Sequence, residues 1–539
     1  MSSSISPSSS NAESRQYPKF LGMKGITLQN IVSLLASVGF LLFGYDQGVM
    51  GSLLTLDSFK NTFPSIDTQR HPNADTMQGF TIAVYEIGCL AGALSTIYLG
   101  DKLGRLRCIF IGCIIMIVGA ILQCSAYTVG HLIVGRIVTG IGNGMNTSTI
   151  PMWQAECSRA ERRGSLVMIS GALITGGIAI SYWVDFGFYF TKGAISWRFP
   201  VGFQMIFPLI ILPFTLRLPE SPRWLIKKNR VEEARYVFAA LDGAHLSSEE
   251  VAMQVHDVKQ SLSEEHLEGG DSFNYRKLFV QGEHRNFHRL MLGLWAQIFQ
   301  QITGINLITY YAGTIFENYI GMNAFNSRVL AACNGTEYFI ASWIPFYVIE
   351  RFGRRKLMLF GAAGQALTMA MLTVTTHESQ YRDNSHAAIG AAVLLFIFNS
   401  FFAVGWLGMT WLYPAEITPL SIRAPANAIS TAGNWSFNFM VVMITPVAFK
   451  NITVYTYTIF AVINALMVPA VYFFFPETAG RSLEDMDAIF AQSNPWRPWE
   501  VVGIANRHPR SDLGFVSSES KLEQGKAEFG TVENASESI

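Results

Sequence analysis

Charged residues are scarce in this chain. Asp, Glu, Lys and Arg make up 14% of its 539 residues, whereas ordinary globular proteins carry about 25%. The two signs balance, because Lys and Arg together number 39 and Asp and Glu also number 39. No net positive field is available to attract a polyanion, so we expect no nucleic-acid partner.

Cysteine is also sparse, with six in the whole chain. Five lie inside apolar runs and the sixth directly follows one, which is typical of small buried side chains and not of a disulfide framework. Catalytic signatures are missing as well, since no HExxH, GxSxG or P-loop pattern occurs. The sequence gives no reason to expect an enzyme, a metal site or a bound cofactor.

Long apolar runs, by contrast, are abundant, and 50% of the residues are hydrophobic. About 20 apolar residues are enough to cross the hydrocarbon core of a bilayer. Residues 108–126, 357–376, 387–415 and 451–475 reach that length with no charge. Runs interrupted by one ionisable residue or by Gly bring the predicted spans to twelve, at 31–53, 77–99, 108–127, 131–153, 165–184, 200–217, 290–314, 328–349, 357–376, 388–413, 425–448 and 454–475. This pattern predicts an all-α polytopic protein embedded in a lipid bilayer.

A polar stretch between the sixth and seventh spans divides the chain into two six-helix halves. Within it, VEEARYVFAAL is typical of a soluble amphipathic helix. Basic loops fall on one side, which the positive-inside rule makes cytoplasmic; they hold Lys102, Arg105, Arg107, Arg159, Arg162, Arg163, Arg351, Arg354, Arg355 and Lys356. The predicted units are a disordered cytoplasmic N-tail (1–27), an N-terminal half (28–218), a cytoplasmic helical linker (219–289), a C-terminal half (290–476) and a cytoplasmic C-tail (477–539).

The two halves also echo each other in sequence. GDKLGRLR in the first half corresponds to ERFGRR in the second half. The matching glycines, Gly104 and Gly353, are 249 positions apart. LPESPR after the sixth span is answered by FPETAGR after the twelfth. Recurrence in the same order indicates a transporter built from two related halves, with its substrate near the midplane between them.

A series of motifs in chain order carries a resemblance to a known family. They include FGYDQGVMG, GRIVTGIGNG with PMWQAE, PESPRWL, QQITGIN, YPAEITPLSIR and PETAGRSLE. With them the chain resembles the sugar porter family of the major facilitator superfamily over residues 30 to 490. NTSTIPMWQAE, SYWVDFGFYF and WRFPVGFQ are most similar to its fungal glycerol/proton symporter branch. The resemblance implies the major facilitator fold, a multi-pass place in the plasma membrane with both termini cytoplasmic, and proton-coupled uptake of a small neutral polyol, glycerol first, by alternating access.

Four ionisable residues lie well within predicted spans: Asp46, Glu86, Arg136 and Glu337. An unpaired charge at the bilayer centre costs a few kcal/mol, so each is expected to have a role or a partner. In proton-coupled members of the family an Asp in the GYD pattern pairs with the Arg of the GR pattern. The resemblance therefore implies that Asp46 and Arg136 couple transport to the proton. A purely structural ion pair is the alternative, and Glu86 and Glu337 stay open between a cavity role, a helix contact and polyol binding.

Sugars and polyols carry hydroxyls and apolar C–H faces but no charge, so neutral amides and an aromatic wall suit them. The QQxxGxN pattern of span 7 supplies amide side chains and the hydroxyl of Thr303, and its Gly304 allows the helix to open. The resemblance implies ligand roles for the two Gln and the Asn of this pattern and for Asn434, and a wall role for Trp411. The candidate substrate-binding residues are Gln300, Gln301, Asn306, Tyr310, Trp411 and Asn434, with Asn438 on the same face as Asn434. The alternative for such amides is hydrogen bonding between helices.

Three departures from the family pattern bear on the substrate. Gly171 stands where sugar porters carry a hydroxyl-binding Gln, Tyr338 replaces an Asn ligand, and Ala403 replaces a Glu. Losing the Gln and the Asn removes contacts that a hexose needs. Glycerol or another small polyol is therefore favoured, with a proton/hexose or other monosaccharide symporter as the alternative.

A cytoplasmic charge network is also implied by the resemblance. Its predicted pairs are Asp101 with Arg105, Glu156 with Arg163, Glu350 with Arg354, and Glu416 with Arg423. Exposed pairs are individually worth about 0–1 kcal/mol, so only their concerted formation and release would bias the transport cycle. A nutrient sensor with the same twelve-helix transporter fold is a further alternative. The presence of both Asp46 and Arg136 favours transport over sensing.

Overall fold

A computed structural model describes residues 20–68, 70–71, 73–158, 163–269, 278–282, 284–382, 384–481 and 483–507. The predicted fold is confirmed, since twelve spans are arranged as two halves of six in an all-helical membrane protein. Parts of the predicted tails, residues 1–19 and 508–539, lie outside the described residues, as do Arg159 and Arg162. Of Arg163 only the backbone is described.

The spans of the first half exceed their predicted limits by about a turn at several ends. Their bounds are Ile26–Leu53 (span 1), Ala74–Leu103 (span 2), Arg105–Cys124 (span 3), Val129–Glu156 (span 4), Arg163–Tyr189 (span 5) and Ile195–Thr215 (span 6). Span 5 runs beyond its predicted end at residue 184 and so includes Asp185. Between spans 1 and 2 lie a short helix, Asp57–Thr62, and a 3₁₀ turn, Pro64–Ile66.

Several spans of the second half consist of more than one helical segment. Its bounds are Asn286–Ile302 with Ile305–Thr314 and a π-helical turn Ile315–Tyr319 (span 7), Ala324–Ala341 with Ile344–Phe352 (span 8), Arg354–Arg382 (span 9), Ser385–Ile417 (span 10), Leu420–Ile452 (span 11) and Tyr455–Phe474 (span 12). Span 10 contains a second π-helical turn, Ala403–Leu407.

Helices outside the membrane spans lie in the linker and after span 12. They are Pro222–Lys227, Val231–Asp242, Glu249–Gly269, Leu483–Ala491 and Glu500–Arg507. The second of them coincides with the predicted amphipathic helix. It packs on the start of span 1, where the Gln29 amide donates to the Leu241 carbonyl at 2.8 Å.

Within the described residues, eight spans are long and apolar enough by composition to cross a membrane. Spans 4, 7, 8 and 11 are not among them. They carry buried polar side chains such as Arg136, Gln300, Arg328 and Asn434. Polar groups in lipid must be satisfied inside the protein, so these four spans need the others around them.

Glycine brings spans 2 and 4 into close contact. A Cβ on Gly140 would lie 2.3 Å from the Tyr85 carbonyl oxygen, so no larger residue fits without moving a helix. Small residues at such crossings let helix backbones approach each other in membranes. The crossing sets Tyr85 and Glu86 of span 2 beside Arg136 and Asn143 of span 4.

Candidate functional site

Five amide side chains form one hydrogen-bonded group around the break in span 7. This amide cluster consists of Gln297, Gln300, Gln301, Asn306 and Asn434. Asn434 Nδ2 donates to Gln297 Oε1 at 2.6 Å and to Gln300 Oε1 at 3.0 Å. Gln301 Nε2 donates to Gln300 Oε1 at 3.2 Å, and Asn306 Nδ2 donates to Gln301 Oε1. All five are buried, so they depend on one another for hydrogen bonds.

The amide cluster is anchored on the π-helical turn of span 10. Gln300 Nε2 donates to the Trp406 carbonyl at 3.1 Å and to the Leu407 carbonyl at 3.2 Å. Gln297 Nε2 donates to the Thr410 carbonyl at 2.9 Å. A π turn interrupts the regular backbone ladder and leaves carbonyls for side chains to bind. The cluster therefore joins spans 7, 10 and 11 through bonds that a hydroxyl-bearing ligand could replace.

The break in span 7 occurs at Gly304, where the sequence predicts that the helix opens. Gly304 has φ +99°, a left-handed value that costs other residues about 1–2 kcal/mol. The Thr303 carbonyl is left outside the helix and accepts a hydrogen bond from Asn464 Nδ2 of span 12 at 2.8 Å. This bond holds the break open in a buried setting. It also fixes the direction in which Ile305–Thr314 leaves the first part of the span.

Tyr310 links this segment to the first half. Asn306 and Tyr310 stand four residues apart on the same helix, so they share a face. The Tyr310 hydroxyl donates to Glu86 Oε1 on span 2. Glu86 is 1% exposed, and within the part of the chain that the structure describes its Oε2 has no hydrogen-bond partner. A polar row thus runs from the amide cluster through Tyr310 to a buried carboxylate of the other half.

Glu86 belongs to a second group, the carboxylate cluster, made of Asp46, Tyr85, Glu86, Arg136 and Asn143. The Tyr85 hydroxyl donates to Asp46 Oδ2 at 3.2 Å and accepts from Asn143 Nδ2. The Arg136 guanidinium lies 5.2 Å from the centre of the Tyr85 ring, in cation–π distance. Two carboxylates and one guanidinium therefore surround one tyrosine, and all five side chains are buried.

The expected partners Asp46 and Arg136 contact the same tyrosine without bonding to each other. No ion pair joins them among the residues that the structure describes. Arg136 Nη2 donates instead to the Ile82 carbonyl at 2.9 Å, and its Nε has no hydrogen-bond partner. Tyr85 is thus an intermediary, and a small movement of Arg136 would change which carboxylate it faces.

Two predicted substrate residues stand apart from the amide cluster. Trp411 is half-buried and takes part in no side-chain hydrogen bond of the described residues. Asn438 is 1% exposed, and no described residue hydrogen-bonds to its Oδ1. Its neighbour on the same face, Asn434, is the span 11 amide that joins the cluster.

Of the three departures from the family pattern, Gly171 lies at the contact between the halves, whereas Tyr338 contacts span 10 of its own half and Ala403 begins the π-helical turn. A Cβ on Gly171 would lie 3.6 Å from Leu407 Cγ, which is an ordinary contact distance. Tyr338 is buried, and its ring makes a T-shaped contact with Phe402, with 6.1 Å between the ring centres. Position 171 therefore faces the same π-helical turn that anchors Gln300.

Two further intramembrane carboxylates lie outside both clusters. Glu337 accepts a hydrogen bond from the Ser400 hydroxyl and borders a cavity of about 390 Å³ with Trp183. Asp185, which the predicted spans exclude, is 1% exposed, and neither of its oxygens has a hydrogen-bond partner among the described residues. Its position one residue past the predicted end of span 5 hid it in the sequence.

The predicted charge network forms a separate set of contacts in each half. In the first half Arg105 makes two hydrogen bonds with Glu156, at 2.9 and 3.0 Å, and Asp101 lies 4.0 Å from Arg105. The Asp101 carboxylate is also 2.6 Å from Lys227 in the linker. Arg163 was the predicted partner of Glu156, and its side chain lies outside the described residues.

In the second half the charge network is centred on Arg354. It bonds to Glu416 at 2.8 Å and to Glu350 at 3.1 Å. Glu416 also accepts from the Thr478 hydroxyl at 2.6 Å. Arg423, predicted beside Glu416, donates to the Thr418 carbonyl at 3.0 Å. The two halves thus repeat one arginine–glutamate arrangement.

Sequence reasoning missed four residues of the site: Gln297, Tyr85, Asn143 and Asn464. Each is a polar residue in an otherwise apolar helix, which is the one signal that would have found them. Tyr85 directly precedes Glu86, and Gln297 precedes the QQ pair by one turn.

Known proteins match nearly the whole chain. The family described as "Sugar (and other) transporter" matches residues 32–490. The sugar transporter STL1 of Saccharomyces cerevisiae is 41% identical, over 94% of this chain and 90% of its own length. The major facilitator superfamily transporter mfsA of Aspergillus fumigatus is 39% identical, over 94% and 93%. Among solved structures, the proton:xylose symporter XylE bound to 6-bromo-6-deoxy-D-glucose has a TM-score of 0.72 at 25% identity, covering 86% of this chain and 99% of that chain.

Proposed function

The chain belongs to the sugar (and other) transporter family, and from this premise we propose that it carries a small neutral polyol, glycerol first, together with a proton. Its relatives are transporters, so the chain is a membrane transporter and not an enzyme. Uptake would proceed by alternating access across the plasma membrane, with the basic loops, the linker and both termini on the cytoplasmic side. The observation that carries the proposal is the polar row from the amide cluster through Tyr310 to the carboxylate cluster.

The amide cluster is proposed as the substrate site. Amides offer donors and acceptors without charge, which suits a solute that has only hydroxyl groups. In the described structure these amides bond to one another, for example Asn306 to Gln301. A polyol would exchange amide–amide bonds for amide–hydroxyl bonds, so no buried group need be left without a partner. Gln300, Gln301, Asn306 and Asn434 would be ligands, and Tyr310 would close the site. Trp411, half-buried and outside the hydrogen-bonded cluster, is proposed as an aromatic wall.

A small solute is favoured over a hexose. The glycine at position 171 contributes no hydrogen bond where the family has Gln, and the Tyr338 ring packs near Phe402. A hexose has five hydroxyls to satisfy once it leaves water, and each buried unpaired group costs about 1–3 kcal/mol. Glycerol has three, which the amides of span 7 and Asn434 can bind. The second candidate, a monosaccharide, is favoured by the likeness to the proton:xylose symporter.

The carboxylate cluster is proposed as the proton site. When Asp46 is ionised, Arg136 is attracted toward it and away from the Ile82 carbonyl; when Asp46 is protonated, Arg136 is released. Because Arg136 and Asp46 lie on spans 4 and 1, this exchange would shift contacts within the first half. Tyr310 would carry the shift to span 7. The charge networks around Arg105 and Arg354 would bias the direction of closure at the cytoplasmic end.

The test is an uptake panel in cells that express the full chain and lack their own polyol and sugar carriers. Labelled glycerol, other polyols, pentoses and hexoses are supplied at several external pH values, and the pH of an unbuffered medium is followed. We expect glycerol to accumulate with alkalinisation of the medium and an uncoupler to abolish accumulation. Strong uptake of a hexose with none of glycerol would establish the second candidate. Absence of uptake for every solute, in protein shown to reach the surface, would point to a nutrient sensor.

A further inference from the structure

We propose that Glu86 is a second proton-binding residue, and that its hydrogen bond with Tyr310 couples the carboxylate cluster to the substrate-side segment of span 7. The inference rests on the proposed proton symport and adds to it a named contact between the halves. Glu86 lies on span 2 of the first half, and Tyr310 lies on Ile305–Thr314 of the second. Their bond is therefore made or broken whenever this segment moves relative to the first half.

The balance of charge in the carboxylate cluster requires a proton. Asp46 and Glu86 are both buried, at 4% and 1% exposure, and Arg136 is the cation of the cluster. If both carboxyls were ionised, the group would hold a net negative charge inside the protein, which is costly. Two carboxyls that share one cation do not ionise independently. A proton held by Asp46 at one stage can thus be held by Glu86 at another.

The groups that act on Glu86 come from each neighbouring helix. Span 1 contributes Asp46, span 4 contributes Arg136 and span 7 contributes Tyr310, while Tyr85 and Cys89 lie beside Glu86 on span 2 itself. Span 11 packs Trp435, which is uncharged, against Tyr85 and Cys89. Among the described residues, Arg136 is the cation that favours the ionised form of Glu86.

Protonation of Glu86 changes the strength of its contact with Tyr310. A hydroxyl donating to a carboxylate makes a charge-assisted bond, which is about twice as strong as the bond to a neutral carboxyl. Ionised Glu86 therefore holds Ile305–Thr314 against span 2. Protonated Glu86 holds it less strongly, and Asn306, one turn below Tyr310, is then free to move with the segment. The free Oε2 of Glu86 is available for the proton.

The experiment compares Glu86→Gln with a matched control. Glu337→Gln is that control, because Glu337 is also an intramembrane carboxyl that accepts a hydroxyl hydrogen bond, here from Ser400, and it lies outside both clusters. The full chain and its variants are reconstituted in liposomes. Uptake of labelled glycerol is measured at several external pH values with an imposed proton gradient, and exchange of glycerol is measured without a gradient.

We expect Glu86→Gln to remove most of the pH dependence of uptake and to lower gradient-driven accumulation about ten-fold, a change of about 1.4 kcal/mol. Exchange without a gradient should persist and so report a folded protein. Tyr310→Phe should flatten the pH profile in the same way, and the double variant should be no worse than either single one. Glu337→Gln should keep the profile of the unmodified protein.

Two results overturn the inference. In the first, Glu86→Gln has the same pH profile as Glu337→Gln. In the second, Glu86→Gln raises KM for glycerol at an unchanged kcat and pH profile, which identifies Glu86 as a substrate ligand. Failure of the proposed function is visible separately, in the unmodified protein. If that protein takes up glycerol without responding to the gradient, symport is refuted and this inference with it.

Discussion

Glu220 and Glu477 close the amino ends of spans 3 and 9 in the same manner. Glu220 accepts hydrogen bonds from the backbone N–H groups of Arg105 at 3.0 Å and Leu106 at 3.1 Å. Glu477 accepts from the backbone N–H groups of Arg354 at 2.8 Å and Arg355 at 3.2 Å. A carboxylate at this place satisfies free N–H groups and faces the positive end of the helix dipole.

The repeat predicted from the sequence is thus a repeat of contacts. The Trp153 indole of span 4 donates to the Pro219 carbonyl, and the Tyr413 hydroxyl of span 10 donates to the Pro476 carbonyl, both at 3.0 Å. In each half these bonds tie the segment that follows the sixth helix to the end of the fourth helix, and the capping glutamate ties the same segment to the start of the third helix. In each half the segment after the sixth helix is therefore bonded to the third and fourth helices of that same half.

A first prediction concerns Gly353, which precedes span 9 with φ +85°. A Cβ there would lie 2.4 Å from Glu477 Oε2. Gly353→Ala should therefore both strain the backbone, by about 1–2 kcal/mol, and displace the capping carboxylate. We expect a lower melting temperature of the purified protein. Gly100→Ala is the control, since nothing lies within 4 Å of its Cβ position. Equal melting temperatures for the two variants would contradict this account.

A second prediction tests the amide cluster. Asn306→Ala removes a proposed ligand and leaves Gln301 Oε1 without the Asn306 amide, so apparent glycerol affinity should fall about ten-fold or more, for a loss of about 1–3 kcal/mol. Gln301→Ala should act alike. Gln123→Ala is the matched control, because Gln123 is a buried amide that bonds to Thr139 at 2.6 Å, away from the cluster. Saturation curves at equal surface abundance measure the effect. Unchanged affinity with reduced abundance would assign these amides to helix packing.

The twelve-span architecture could be predicted from the sequence because the length of each apolar run and the positions of the basic loops determine it, whatever the side chains contact in detail. It also located the span 7 break, since only Gly304 in QQxxGxN accepts a positive φ readily. It did not find Tyr85 between Asp46 and Arg136. Which side chain Asp46 and Arg136 contact depends on how spans 2 and 4 are rotated about their own axes. The close contact at Gly140 fixes that rotation. Sequence motifs carry no information about this rotation, so the pairing of Asp46 with Arg136 could be predicted only from the family resemblance.

A third prediction concerns size selectivity at Gly171. Its Cβ position is 3.6 Å from Leu407, so Ala fits without moving the π-helical turn. Gly171→Ala should therefore transport as the unmodified protein does. Gly171→Gln extends an amide toward the contact between the halves, which should lower glycerol uptake and raise that of a hexose. Competition of unlabelled sugars with labelled glycerol measures the change. Undiminished glycerol uptake with no gain for any hexose would show that position 171 does not select substrate.

A fourth prediction separates rate from affinity in the charge network. Arg354 holds Glu416 through two nitrogen atoms, with Nε at 3.1 Å and Nη2 at 2.8 Å. Lys cannot reproduce this fork, so Arg354→Lys should weaken the network without touching the amide cluster. We expect a several-fold lower maximal uptake rate at an unchanged apparent affinity. A pure affinity defect would instead place Arg354 in the binding step.

The last prediction concerns Asp46. Entry of one proton releases about 2.3 kcal/mol per 100 mV and about 1.4 kcal/mol per pH unit, enough to concentrate a neutral solute many-fold. Asp46→Asn keeps the shape and an acceptor for the Tyr85 hydroxyl but removes the titration. Accumulation driven by pH should disappear while downhill equilibration or exchange persists, and replacing Arg136 should produce a parallel defect.

Accumulation of labelled glycerol, measured with and without an uncoupler, checks this expectation, with Glu337→Gln as the control for a lost intramembrane carboxyl. The central comparison is the ratio of internal to external glycerol at steady state, because a coupled carrier exceeds unity and an uncoupled one stops there. If Asp46→Asn still concentrates glycerol and loses it on addition of the uncoupler, Asp46 is not the coupling residue. Since Glu86 faces the same guanidinium, the combined Asp46→Asn and Glu86→Gln variant then decides whether the second carboxyl alone supports coupling.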